Sequence, residues 1–66
     1  MYRTTMKDDM DGATYPEGQH ETEEQARQYA QLRTSQKKCE MKVISPMGEL
    51  LDVYHAGEIV GAPARA

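Results

Sequence analysis

Residues 22–38, TEEQARQYAQLRTSQKK, carry the one sustained helical pattern in the chain, and they decide how everything else can be arranged. Thr22 followed by Gln25 fits a capping box, in which the hydroxyl takes a first-turn N–H and the amide reaches back. Glu23 and Glu24 lie where unpaired N–H groups favour anions, and Arg33, Lys37 and Lys38 lie where free carbonyls favour cations. Glu23 and Arg27 are spaced for an i to i+4 pair worth about 0.3 kcal/mol. Ala26, Tyr29, Ala30 and Arg33 share a face, with Leu32 at its margin. So narrow and small-residued a stripe suits a helix laid on a sheet, its alanines letting the backbones approach. Alone in water a helix of this length is marginal, so the rest of the chain must supply that sheet.

The flanking segments read as strands. Residues 2–7 (YRTTMK) alternate, with Tyr2, Thr4 and Met6 on one side and Arg3, Thr5 and Lys7 on the other. Asp8, Asp9, Asp11 and Gly12 form a turn cluster. Residues 13–15 can pair back as a short second strand, which Pro16 and Gly18 should stop. After the helix, residues 39–45 place Cys39, Met41 and Val43 toward it. Ser45-Pro46-Met47-Gly48 matches a type I turn. Residues 49–55 return, with Leu51 and Val53 read as inward and Leu50, Asp52 and Tyr54 as outward. Ala56-Gly57 turns again, and residues 58–60 add a short edge strand. The expected fold is α+β: a small antiparallel sheet with one helix on one face, in the order β(β)αββ. Residues 1–60 form one domain and residues 61–66 a flexible tail.

The chain has 66 residues, and a core of that size rarely supplies more than about 3–5 kcal/mol. Phe and Trp are absent, and Cys39 is the only cysteine, so no internal disulfide or cysteine-rich zinc site can help. Self-association as a homodimer, or stabilisation by a bound partner, is therefore expected. One thiol accords with a reducing compartment. Residues 1–11 lack the apolar run of a signal peptide, and no stretch approaches the ~20 apolar residues of a membrane span. A soluble, cytoplasmic protein with no membrane partner is expected.

Net charge is −3, unevenly placed: residues 1–24 hold seven acids against two bases, while residues 25–66 hold six bases against four acids. No strong basic surface marks a general nucleic-acid binder. Asp9, Asp11 and Gly12 resemble the start of a calcium loop, but that register puts Lys7 at the first ligand place and Gly18 where a Glu is needed. His20, Cys39 and His55 lack zinc-ligand spacing. A Cys39–His55 nucleophilic pair is conceivable, yet Cys39 reads better as a small buried hydrophobe. No enzyme activity, cofactor or metal is expected. Arg33 either snorkels over the sheet edge or joins Lys37, Lys38 and Lys42 in a basic patch for phosphate or nucleic acid. An outer sheet face bearing Ile44, Leu50 and Tyr54 would be left uncovered, as an interface is.

Gln25, Ala26, Arg27 and Ala30 in the helix, then Val43, Gly48, Tyr54 and Gly57 in the hairpin, give a layout that resembles short phage and mobile-element proteins, some of them anti-CRISPR inhibitors. That resemblance implies a small inhibitor or modulator that binds a host protein complex. Ile44, Leu50 and Tyr54 would be its apolar anchor, and Asp8, Asp9 and Asp11 would steer it toward a basic surface. The alternative is a small nucleic-acid-associated regulator working through Arg33, Lys37, Lys38 and Lys42.

Overall fold

The computed structural model describes residues 1–62. Strands β1 (Tyr2–Asp8) and β2 (Thr14–His20) precede helix α1 (Glu23–Gln36), and β3 (Cys39–Ile44), β4 (Leu50–His55) and β5 (Glu58–Gly61) follow it. They form one five-stranded antiparallel sheet in the order β2-β1-β3-β4-β5, with α1 packed across one face. The chain is thus α+β, as its pattern indicates. The expected tail divides: Gly61 closes β5, and residues 63–66 lie outside the described residues.

α1 begins with half of the expected capping box: the Thr22 hydroxyl accepts from the Gln25 N–H at 3.1 Å, but the Gln25 amide makes no return bond to Thr22. Lys37 ends it, donating its N–H to the Arg33 carbonyl at 3.0 Å. Ala26 and Ala30 are fully buried, and their missing bulk is what brings helix and sheet together. The third buried position is Thr34, where the sequence pointed to Arg33. The Thr34 hydroxyl donates to the Ala30 carbonyl at 2.9 Å and accepts from the Gly57 N–H at 3.0 Å, so its burial leaves no polar group stranded. Tyr29 and Arg33 flank the contact, half-buried, and Leu32 is exposed. The core is Met6, Ala26, Ala30, Cys39, Met41, Val43 and Tyr54, with Tyr2, Tyr29 and Leu51 leaning on it.

Two expectations about the strands are overturned. β2 runs through Pro16 and Gly18 to His20 instead of stopping at Tyr15. It is the sheet's edge, where the N–H that proline lacks is not needed. A bulge there sets Pro16 opposite Thr5 and Gly18 opposite Thr4, leaving Glu17 as the extra residue. In β4 the facing is reversed from Asp52 onward, while Leu50 stays outward and Leu51 leans on the core as expected. Asp52 lies opposite Val43 and Tyr54 opposite Met41, so both point at the helix and both are buried. Val53 lies opposite Lys42 on the far face. A second bulge, with Leu50 opposite Ile44 and Leu51 as the extra residue, resets the alternation. Asp52 tolerates full burial because Arg27 Nε reaches its carboxylate at 3.3 Å.

The turns behave as their residues require. Gly48 donates to the Ser45 carbonyl at 2.9 Å, closing the Ser-Pro-Met-Gly turn. Ala56 and Gly57 both take positive φ, 55° and 79°, the pattern of a two-residue hairpin turn matched to sheet twist. That turn is tied to the helix by Thr34 and by Gln31, whose amide donates to the Gly57 carbonyl at 3.2 Å.

Candidate functional site

On the helix side, polar side chains are organised into closed groups. Arg27 Nε donates to the Tyr54 hydroxyl at 3.2 Å and forms an ion pair with the Asp52 carboxylate, 3.3 Å away. At the other flank, Glu17 accepts from the Tyr29 hydroxyl at 2.9 Å and from Arg33 Nε at 3.3 Å. Burial, and then this bond to the Glu17 carboxylate, push the Tyr29 hydroxyl above the ordinary phenol value. His20 stacks obliquely on Tyr29, ring centroids 5.0 Å apart, and meets the Thr4 hydroxyl at 3.2 Å.

The acidic turn is locked in the same manner. Asp8 accepts from the Met10 N–H at 2.8 Å and pairs with Lys37 at 3.3 Å; these two contacts hold its carboxyl below the usual carboxylate value. Asp11 accepts from the Ala13 N–H at 2.8 Å and from the Tyr15 hydroxyl at 2.9 Å, which pushes that phenol up. Asp9 meets His55 Nε2 at 3.0 Å, and its backbone N–H donates to the Lys38 carbonyl. The three carboxylates therefore point at three separate partners and bind the turn to the end of α1 and the end of β4. Among the described residues, no three His, Cys, Asp or Glu side chains gather as a metal site.

The four cations grouped by the sequence do not stay together. Arg33 is held by Glu17 and Lys37 by Asp8, Lys38 stands exposed at the helix end, and Lys42 projects from the opposite face of the sheet. Cys39 and His55 are likewise divided: Cys39 faces the core beside Met41 and Val43, while His55 lies opposite Glu40 on the far face. Burial pushes the Cys39 thiol up, so this sulfur lacks the thiolate character of a nucleophile. Tyr54, expected outside with Ile44 and Leu50, belongs to the core, and only the latter two remain on the outer face.

That outer face is where chemistry is left unspent. Cross-strand register arranges it in three rows: Lys7, Glu40, His55 and Glu58; then Thr5, Lys42 and Val53; then Arg3, Ile44 and Leu50. Arg3, Lys7 and Lys42 make no ion pair or side-chain hydrogen bond with any described residue. Ile44, Leu50 and Val53 are half-buried beside them. No described element packs on this side, since α1 occupies the other. At one corner a shallow groove of about 410 Å³ runs between Arg3, Ile44, Pro16 and Gln19. Charge alternation along β1 signalled the cations from the start; Val53 was hidden by the bulge in β4.

No protein-family model matches the chain, and neither do curated proteins or solved structures. No helix among the described residues is long and apolar enough to cross a membrane.

Proposed function

We propose that this chain is a non-enzymatic interaction module that docks a partner protein on the open face of its sheet. The observation that carries the reading is the juxtaposition of three unpaired cations, Arg3, Lys7 and Lys42, with the aliphatic group Ile44, Leu50 and Val53 on a face no described element covers. Arg27, Arg33 and Lys37 take carboxylate partners within the fold, whereas Arg3, Lys7 and Lys42 do not. Cations left beside half-buried aliphatics are the arrangement an acidic protein surface would complete. The resemblance in layout to short mobile-element proteins makes an inhibitor or modulator of a host complex the concrete form of this reading. The acidic turn then has a structural task, and attraction of the partner falls to the basic face instead.

Nucleic acid fits the same face less well, because single strands bind through stacking on aromatic side chains and the three rows contain no Tyr, Phe or Trp, only His55 at one end. Affinity capture from a host lysate, with and without nuclease, tests the reading. Wild-type protein is expected to retain one protein partner after nuclease treatment, and the Arg3→Glu/Lys42→Glu variant to lose it while keeping its circular dichroism. Equal retention by the variant would remove the open face from the account, and loss on nuclease treatment would hand it to nucleic acid.

A further inference from the structure

Resting on that reading, we infer that the segment recognised is an amphipathic helix carrying an aliphatic stripe and an acidic flank, laid along the strands of the open face. The face is divided lengthwise. Arg3 and Lys7 on β1, with Lys42 beside them on β3, make a cationic strip; Ile44 at the end of β3, with Leu50 and Val53 on β4, makes an aliphatic one. Neighbouring strands lie about 4.8 Å apart, so both strips fit beneath one helix about 10 Å across. Arg3 and Lys7 are four residues apart, about 13 Å along the strand, which two to three helical turns span. A side chain at i and its neighbours at i+3 and i+4 can then follow one strip while the adjacent flank follows the other. The acids in these rows, Glu40 and Glu58, both lie in the end row with Lys7 and His55, and Glu17, at the edge of the corner groove, is tied to Tyr29 and Arg33, so the middle and far rows carry cations and no carboxylate of their own.

A second copy of this chain is the competing occupant, and the charge pattern opposes it. Lys42 sits at the centre of the middle row on the central strand. A two-fold axis lying in that face and passing through its centre, either along or across the strands, brings Lys42 onto its own mate. The molecule spans 29 × 22 Å in its two longer directions, so a full face-to-face dimer would bury roughly 1,200 Å² in all, the low end for specific association even without that repulsion.

Nuclear magnetic resonance titration of the full ¹⁵N-labelled chain tests the inference, using a synthetic helical peptide with leucines at i, i+3, i+4 and i+7 and glutamates along one flank. Shifts are expected at Arg3, Thr5, Lys42, Ile44, Leu50 and Val53 and not at Gln28 or Leu32 on the far side of the helix. Replacing the flank glutamates by glutamine should weaken binding by about tenfold, roughly what three exposed ion pairs provide together. Lys42→Glu should reverse the preference toward a lysine-flanked peptide. Absence of shifts, shifts on the helix side, indifference to the glutamates, or self-association mapping to the same residues would each overturn it. Failure here with a partner still captured through Arg3 and Lys42 would refute only the helix. Capture indifferent to those residues would refute the underlying reading as well.

Discussion

On the helix side of the sheet, every buried polar side-chain atom among the described residues has a partner, whereas on the open side Arg3, Lys7 and Lys42 have none. Both faces are made by the same three strands, β1, β3 and β4, from alternate residues. What separates them is α1. By removing one face from water it forces each polar group there to find a bond, since a buried group left unmade costs about 1–3 kcal/mol. The other face is under no such obligation, and its cations can stay solvated until something displaces the water. Stability and recognition are thus assigned to opposite sides of one layer.

The contrast is sharpest for a matched pair of substitutions. Met41→Ala on the helix side should cost about 3 kcal/mol by emptying a fully buried position, whereas Val53→Ala on the open side should cost under about 1 kcal/mol. Urea unfolding of both variants measures the difference, and equal losses would mean that the open face is covered in solution. Arg27→Ala should cost about 2–3 kcal/mol, because the fully buried Asp52 carboxylate would lose the guanidinium that stands 3.3 Å from it. The double variant Arg27→Met/Asp52→Leu should recover most of that, which denaturant midpoints will show.

Smaller effects probe where the helix is tied down. Gly57→Ala should lose about 1–2 kcal/mol, since φ is +79° and the added methyl carbon would stand 3.1 Å from Ser35 Cβ. Ala56→Gly should gain about 0.5–1 kcal/mol by relieving a positive φ in an alanine, read as a higher melting temperature. Asp8 gives the smallest effect, confined to acid. Its folded-state value is depressed, so its contribution is present above the unfolded carboxyl range and is lost as pH falls through the lower folded value. Asp8→Asn should flatten that part of the stability–pH curve, and an unchanged acid limb would show that the Met10 and Lys37 contacts do not persist in solution.

Much of this architecture was legible in the chain because local signals agreed. The Thr22 cap, the alternation in β1 and β3, and the Pro46 and Gly48 turn each specify their element without reference to the rest. What was misread depended on distant residues. Pro16 is compatible with a strand only because β2 is an edge, a fact of sheet order. Asp52 is inward through the bulge in β4 and is tolerated there with Arg27, twenty-five positions earlier, beside it, a pairing that apolar-inward logic could not weigh. The orientation of Tyr54 followed the same error, which removed one residue of the expected anchor and put Val53 in its place. The basic patch failed for a related reason: proximity in sequence put Lys42 beside Lys37, yet the start of β3 carries it through the sheet to the other side.

The central pairing of β1 with β3 joins two pieces that are each locally connected, the β1–β2 hairpin before the helix and the β3–β4–β5 meander after it. Each piece can assemble from neighbours in sequence, but the seam between them closes a loop that contains β2 and all of α1. Hairpins form in about 1–10 μs, so joining at this longer-range seam is the step that should set the folding rate. Only Lys37 and Lys38 separate α1 from β3, too short a hinge for the halves to part without unwinding the helix end. Folding of this small chain is therefore expected to finish with one late event, the closing of the β1–β3 seam.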